Sequence, residues 1–508
     1  MSKKYIGITV GPIFDTMLDA SSPAAMWFTS FLFSDLTRRI CEKISCKPEL
    51  GKTEIYSPYY TPETDIYRDG VGKFHDRILF SIDTDNNSYE TTLQNLIKNV
   101  KADTAEYFTN LSDSFYSEEK IKMFLDEYLQ IHYIVRNTIE KNIILDLSDR
   151  LSALELIKTF PEDNSQNPIL RLLLGSAEGK NELIKNSRLY QDVVNKEQLE
   201  KNKKIRTIEM IAQNANNSDL KLSRYFAIVN ADGDRMGKTL ETLKNEEING
   251  FSKKLFCHAS NAAEKIKDFG GMTIYAGGDD LLFLAPVLGN DGESIFTLCD
   301  TLRTDFADMM KDENGEGPTL SFGIAIQYYK YPLYEAMEIS REMLAESKKG
   351  NKNATAMNLQ KHSGQSLCLK IANENLDKVE QLLQTVNVTE NDEQTLHSMI
   401  YSIEEFKGLY DQMIRNAVLD WEECHDEIQG QERFAEIWLH LFDNSSQEKY
   451  MNYIKAIATF FYQECIVEKR ILAEDLSMDR KDAGDITSVI ASLLRLKKFF
   501  KEKGGEKE

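Results

Sequence analysis

The 508-residue chain is poor in cysteine, histidine and proline, and it has fewer basic than acidic residues. Its 7 cysteines are scattered and none forms a Cys-x-x-Cys pair, which excludes a zinc ribbon and gives no support for a disulfide framework. No run approaches about 18 uncharged apolar residues, the length that a membrane-spanning helix needs, and the N-terminal apolar run is too short for a signal peptide. We therefore expect a cytoplasmic protein with reduced cysteines and no membrane partner.

The chain has 61 Lys and Arg against 82 Asp and Glu, which gives a net charge of −21. This charge argues against free-standing nucleic-acid binding through a broad basic surface, but it allows a local RNA contact or contacts made by partner subunits. The run NKEQLEKNKKIRTIEM at 195–210 is more typical of a solvated helix or linker than of a binding patch.

Strand and helix patterns divide the chain into four regions. Residues 1–110 mix strands and helices, whereas residues 111–220 are nearly all helical and strongly charged. Residues 221–365 show the order β-α-β-β-α-β, the ferredoxin-like arrangement found in the palms of many nucleotide polymerases and cyclases. Residues 366–508 are again helical, with no predicted strand. The predicted fold class is therefore α+β.

The stretch YAGGDDLLFLAP places Asp279 and Asp280 side by side at the turn of a predicted hairpin. Neighbouring carboxylates repel each other, which is tolerable at an exposed turn and useful if a cation lies between them. The first strand of this region ends at Asp232, and the topology makes that strand a neighbour of the hairpin. We therefore expect three carboxylates at one sheet edge, an oxygen-rich set that suits Mg²⁺ or Mn²⁺ and not zinc.

Two glycines precede these aspartates, and they complete the pattern of a nucleotide site. Gly277 and Gly278 have no side chains, so a phosphate can approach the backbone. Two ions about 4 Å apart would hold an attacking hydroxyl and an α-phosphate for in-line displacement. Catalysis would then consist mainly of positioning and charge neutralisation. The combined pattern predicts a metal-dependent nucleotide site.

These motifs resemble a known family. ADGDRMGKTL at 231–240, followed by the Gly-Gly-Asp-Asp turn, resembles the second palm of the large subunits of type III CRISPR effector complexes, most closely the Cmr branch, type III-B. GITVGPIFDTMLDASSPAAMWFTSFLFSDL at 7–36 resembles the first palm of that branch. The resemblance covers roughly residues 5–110 and 222–365. It implies two ferredoxin-like palms, at 1–110 and 221–365, with mainly helical domains at 111–220 and 366–508.

The resemblance also implies a function. The family polymerises ATP into cyclic oligoadenylates once its guide RNA has paired with target RNA, so the implied partners are the other type III subunits, both RNAs and ATP. It implies that Asp232 and Asp280 are the best metal ligands, with Asp279 beside them and the Gly233 carbonyl as a further ligand. The side chains that it places near the nucleotides are those of Asp234, Ser321 and Lys348.

The chain departs from the family pattern in two respects. Many relatives begin with an HD phosphohydrolase domain, but here the first palm starts by Tyr5, so we expect no HD domain and interpret the dipeptides His75-Asp76 and His425-Asp426 as chance. Relatives often carry a four-cysteine zinc module that this chain cannot build. The first palm has no second Gly-Gly-Asp-Asp turn, which implies one catalytic half and one supporting half.

Two other functions stay open. A free-standing signalling cyclase of the diguanylate type is disfavoured by the degenerate first palm and the large helical C-terminal region. A non-catalytic nucleotide-binding scaffold is disfavoured by the intact Asp232, Asp279 and Asp280. The sequence leaves the product open as well, because some family members join AMP to another acceptor, such as S-adenosylmethionine.

Overall fold

The computed structural model describes residues 2–62, 70–84, 88–111, 117–159, 161, 169, 207–213, 221–312, 315–384, 392–424, 427–441, 448–463 and 483–501. Strands in these ranges are labelled β1 to β10 and α-helices α1 to α16, in chain order.

The first sheet is antiparallel, with the strand order β2-β3-β1-β4. We call this sheet and its helices the first palm. Its connections follow the β-α-β-β-α-β order, because helices join β1 to β2 and β3 to β4. Its strands are β1 (Ser2–Gly11), β2 (Lys52–Ser57), β3 (Arg77–Thr84) and β4 (Gln130–Arg136), and its helices are α1 (Ile13–Leu18), α2 (Pro23–Ser45), α3 (Tyr89–Leu111), α4 (Glu118–Tyr128) and α5 (Ile143–Glu155).

The first palm extends beyond the predicted boundary at residue 110. β4 pairs with β1 along its whole length, so the prediction of a nearly all-helical segment after residue 110 is wrong here. β4 is an edge strand with mostly half-buried side chains, and it therefore lacks the continuous apolar run that marks a buried strand. Most of the predicted linker 195–210 lies outside the described residues.

The second sheet has the strand order β10-β9-β8-β5-β7-β6, and we call it, with its helices, the second palm. Its strands β5 to β8 repeat the antiparallel order of the first palm. These strands are β5 (Tyr225–Asp234), β6 (Met272–Gly277), β7 (Asp280–Pro286), β8 (Thr319–Tyr328), β9 (Ala354–Gln360) and β10 (Ser366–Ala372). The helices before and between them are α6 (Ile208–Ala212), α7 (Met236–Thr242), α8 (Asn245–Phe269), α9 (Ile295–Met310) and α10 (Leu333–Ser347).

β10 corrects the prediction that no strand follows residue 366. It pairs with β9 and alternates buried Leu367, Leu369 and Ile371 with more accessible neighbours. This period of two is the pattern of a strand with one face on the core. The palm sheet therefore continues past the predicted boundary at residue 365.

Helices dominate the described part of the C-terminal region, as predicted. They are α11 (Leu376–Gln384), α12 (Asp392–Glu405), α13 (Lys407–Cys424), α14 (Glu427–His440), α15 (Glu448–Phe461) and α16 (Ala483–Lys501). Their apolar faces share one core with the second palm. Within the described ranges, every helix is too short or too polar to span a bilayer.

Helix α2 lies between the two palms. It contacts strands of the first sheet and also β6 of the second, which explains why its apolar side chains extend around most of its circumference. Most residues of α2 are buried, as its nearly all-round apolar surface requires. The packing of α2 against β6 brings the first palm close to the Gly-Gly-Asp-Asp turn, which joins β6 to β7.

Candidate functional site

The structure brings the three predicted carboxylates together at one edge of the second sheet. Ala231 of β5 pairs with Leu281 of β7, so Asp232 lies next to the turn that ends at Asp280. The turn folds over the end of β5, because a Cβ atom added to Gly233 would lie 2.7 Å from Asp279 Oδ2. Gly233 is therefore required by this close approach.

Lys348 places a positively charged side chain at this edge. It follows α10, which packs on β8, and its side chain extends over the end of β5. Its Nζ forms an ion pair with Asp232 Oδ2, donates a hydrogen bond of 3.0 Å to the Gly233 carbonyl and lies 3.7 Å from Asp234 Oδ1. One ammonium group offsets only part of the negative charge gathered here.

Burial and mutual repulsion raise the pKa values of the two turn carboxylates. Burial, followed by the charge of Asp232, raises the pKa of Asp279 to about 6. Burial raises the pKa of Asp280 well above its ordinary value, and the negative charges of Asp279, Asp232 and Asp76 raise it further. Asp280 nevertheless keeps an exposed surface at the mouth of a cavity, so a small ligand can reach it. Such uncompensated negative charge fits a cation.

Asp234 and Ser321 lie behind this edge. Both residues are completely buried. Asp234 Oδ2 accepts hydrogen bonds from Ser321 Oγ at 2.7 Å, from Thr319 Oγ1 at 2.9 Å and from the Asn353 amide at 3.0 Å. The sequence predicts that Asp234 and Ser321 lie near the nucleotides, but their burial gives them a supporting role: they hold β8 and the turn after Lys348 against β5.

A cavity of about 330 Å³ separates the first palm from the Gly-Gly-Asp-Asp turn. Asp280 and Tyr275 line it from the second palm, and Asp76 and Glu155 line it from the first. The end of β1 and the start of α1, residues 9–15, form another wall. Its size is within the range of small-molecule sites.

Asp76 is a further residue of this cavity that was not predicted from the sequence, where His75-Asp76 is interpreted as a chance dipeptide. In the first palm Thr9 pairs with Arg77, just as Ala231 pairs with Leu281 in the second, so Asp76 occupies the position that corresponds to Asp280. The available signal was its place directly before β3, since Asp280 starts the equivalent β7. His425-Asp426 lies outside the described residues.

In the described part of the chain, no group of three or more His, Cys, Asp or Glu side chains has a geometry ready to hold a metal ion. At the sheet edge, Asp232 forms an ion pair with Lys348. A cation would compete with the lysine for Asp232. The expectation of two ions at this edge stays a prediction.

The comparison with protein families identifies the second palm. Residues 225–356 match the model described as Cas10/Cmr2, second palm domain. The chain carries a Cas10/Cmr2 second palm. It is also 30% identical over 172 residues to the CRISPR system Cmr subunit Cmr2 of Pyrococcus furiosus. That alignment covers 28% of this chain and 19% of the relative, so the chain matches about a fifth of the relative's length.

A solved structure with a TM-score above 0.5 has a similar fold. The fold is similar to a chain of the type III-B Cmr-beta complex in its apo state, with a TM-score of 0.57 and 10% sequence identity, over 92% of this chain and 82% of that one. A chain of the Csm1–Csm4 cassette in complex with cA4 gives a TM-score of 0.46 and 14% identity, over 90% and 70% of the two chains. The predicted α+β class and the predicted resemblance to the Cas10/Cmr2 family are confirmed.

Proposed function

We propose that this chain is the nucleotidyltransferase subunit of a type III CRISPR complex and that it transfers AMP from ATP to an acceptor when target RNA is bound. The observation that carries the proposal is the convergence of Asp232, Asp279 and Asp280 beside Lys348, on a Cas10/Cmr2 second palm. This arrangement suits a reaction whose catalysis consists of positioning and charge neutralisation.

The side chains at the sheet edge fit Mg²⁺ or Mn²⁺. Asp232, Asp279 and Asp280, with the Gly233 carbonyl, offer only hard oxygen ligands. Asp234 Oδ1 accepts no hydrogen bond within the described residues and lies 3.7 Å from Lys348 Nζ, so this lysine is shared between Asp232 and Asp234. When bound, such ions polarise a phosphate and favour ionisation of the attacking hydroxyl.

The chain's own residues would hold the reacting groups. In the proposed reaction an acceptor hydroxyl oxygen bonds to the α-phosphorus of ATP, the bond to the bridging oxygen breaks, pyrophosphate leaves and the hydroxyl proton passes to solvent. Gly278, in the left-handed region at φ 67°, leaves the turn backbone open to phosphate. The Tyr275 ring covers Gly277, so a phosphate would approach at Gly278 and not at Gly277. Lys348 supplies positive charge beside Asp232.

The cavity between the palms favours a positively charged acceptor. Glu155 pairs with Arg77 at 2.8 Å, whereas Asp76 and Asp280 form no ion pair within the described residues. Burial, with repulsion from Glu155, raises the pKa of Asp76 to about 6. Two uncompensated carboxylates disfavour a second triphosphate and attract a cation. S-adenosylmethionine combines adenosine hydroxyls with sulfonium and ammonium groups, so an AMP conjugate of it is a second candidate product beside oligoadenylate.

The test uses the complex purified with its guide RNA and operon neighbours. It is incubated with ATP, with and without target RNA and with and without S-adenosylmethionine, and the products are analysed by mass spectrometry. We expect an AMP-containing product only with target RNA. In parallel, the isolated chain is incubated with GTP, and a product there would favour the diguanylate-type cyclase. ATP binding without any product would favour the scaffold.

A further inference from the structure

Residues 70–76 of the first palm run between the two palms beside the catalytic turn. We call this segment the strap. Resting on the function proposed above, we infer that the strap fixes the distance between the Gly-Gly-Asp-Asp turn and the first palm. Lys73 is the positioning residue that holds the strap in place.

The strap is attached to the second palm directly before the catalytic turn. The Ala276 amide donates a hydrogen bond of 3.1 Å to the Gly72 carbonyl, and Gly72 forms a parallel β-bridge with Tyr275. The Tyr275 ring in turn covers Gly277, because a Cβ atom added there would collide with its hydroxyl group. A displacement of the strap would therefore pass through Tyr275 to the first glycine of the turn.

Lys73 forms a second attachment to the second palm, on helix α8. Its Nζ donates a hydrogen bond of 3.0 Å to Ser260 Oγ and lies 4.4 Å from the centre of the Phe256 ring. Lys73 is 4% exposed. A buried ammonium group over an aromatic face contributes more than an exposed one, because it is shielded from water. Lys73 thus holds the strap to the helix that precedes β6.

The strap is fixed to the first palm by hydrogen bonds along its length. Trp27 Nε1 donates to the Gly70 carbonyl at 2.6 Å, the Phe74 amide donates to Ser34 Oγ at 2.9 Å, and the Val10 amide donates to the Asp76 carbonyl at 2.8 Å. There is little room to shift, since a Cβ atom on Gly72 would lie 3.0 Å from Ser34 Cβ. The strap therefore behaves as a rigid spacer.

The position of the strap connects this geometry with catalysis. Asp76, at its end, lines the same cavity as Tyr275 and Asp280. The strap thereby sets the spacing between the acceptor cavity and the turn that carries the catalytic carboxylates. A misplacement of about 1 Å between reacting groups lowers a rate by about 100-fold. Loosening the strap should therefore reduce turnover and leave ATP binding at the Lys348 side unchanged.

The test compares three variants in the assembled complex with target RNA. Lys73→Met keeps the length of the side chain but removes its charge and its hydrogen bond, and Lys73→Arg keeps both. Lys253→Met is the control, because exposed Lys253 on helix α8 also lies over an aromatic ring, that of Tyr59, which is outside the strap. Rates are normalised to the number of ATP molecules bound per complex, which corrects for unfolded protein.

We expect Lys73→Met to lower turnover by about 10- to 100-fold with the KM for ATP changed less than about 2-fold, while Lys73→Arg and Lys253→Met stay near wild type. Wild-type turnover in Lys73→Met, or a loss fully explained by fewer bound ATP molecules, would overturn the inference. If the wild-type complex makes no product, the proposed function fails. The positioning role of the strap is then tested by the rate of amide hydrogen exchange in residues 272–280. Lys73→Met must then accelerate exchange of the Ala276 amide relative to Lys253→Met; equal exchange would overturn the inference.

Discussion

Ser321 donates a hydrogen bond of 2.7 Å to Asp234, and both residues are completely buried behind the carboxylate edge of the second palm. The same Asp234 oxygen accepts hydrogen bonds from Thr319 and from the Asn353 amide. Asn353 lies in the left-handed region at φ 48°, in the turn that follows Lys348. The buried carboxylate therefore joins β5, β8 and this turn, and it holds in place the backbone that carries Asp232 and Lys348.

Removal of that carboxylate should destabilise the chain. We expect Asp234→Ala to lower the free energy of unfolding by about 3 kcal/mol, because it leaves buried donors without an acceptor. Ser321→Ala should lower it by about 1 kcal/mol. Glu346→Ala is the control, since Glu346 pairs with exposed Lys349 and should change stability by less than about 0.5 kcal/mol. Urea denaturation measures all three; an Asp234→Ala variant as stable as the control would contradict the supporting role.

Lys348 should contribute to turnover more than to stability. Its Nζ is the charged group that faces Asp232 and the Gly233 carbonyl, and its side chain is 21% exposed. We expect Lys348→Met to lower product formation by about 100-fold with a small change in melting temperature, and Lys348→Arg to retain part of the activity. Full activity of Lys348→Met would show that the lysine is only a structural partner of Asp232.

His258 should contribute a loss of stability in mild acid, against the opposite contribution of the raised pKa values of Asp76, Asp279 and Asp280. This histidine is buried on α8 against Phe306, and Asp305 and Lys265 are the charged groups that affect it. Burial lowers its pKa from 6.5 to about 4 in the folded state. In this pH range the unfolded chain therefore binds a proton at His258 that the folded chain does not. The contribution of His258 to stability is fully present above pH 6.5 and is lost as the pH falls towards 4.

For His258 alone this loss amounts to about 3 kcal/mol between pH 6.5 and pH 4. The free energy of unfolding of the wild type and of His258→Gln, measured at several pH values in that window, checks the effect. The wild type should lose about 3 kcal/mol relative to the variant across this window, because the two proteins share the contribution of the carboxylates. Equal slopes would mean that folding does not shift the pKa of His258.

Target RNA should act on catalytic geometry and not on nucleotide affinity. Both palms pack around α2 in one chain, so a small rotation of the second palm can alter the reacting distances without unfolding. We expect similar ATP affinity with and without target RNA, by calorimetry on the assembled complex, and turnover that differs by at least about 100-fold. Equal turnover in the two states would refute gating, and a large change in ATP affinity would move the control to nucleotide access.

Local sequence pattern was sufficient to predict the second palm and the convergence of its carboxylates. The apolar strands around Gly-Gly-Asp-Asp and the strand that ends at Asp232 carry strong signals, and ferredoxin-like order makes them neighbours. β4 was missed because an edge strand has a weak apolar pattern, and β10 because its alternation lies in a region otherwise dominated by helices.

The remainder of the site depends on tertiary packing. Asp76 reaches the cavity because two palms with the same strand order face each other, a relationship that no local pattern of the first palm reveals. Asp234 and Ser321 carry the polar character of ligand residues, and only the packing of β8 and the turn after Lys348 against β5 shows that they are buried. The role of Gly72 likewise depends on its bridge to Tyr275.

The most direct test of AMP transfer at this edge compares the wild-type complex with the Asp279→Ala/Asp280→Ala double variant. Both are supplied with target RNA and with ATP labelled at the α-phosphate, and labelled product is quantified by chromatography. The turn carboxylates repel one another and are not core groups, so the variant should assemble and melt at or above the wild-type temperature. We predict labelled product from the wild type and none from the variant, because each lost carboxylate removes several kcal/mol of transition-state stabilisation. Full product formation by an assembled double variant would contradict the account.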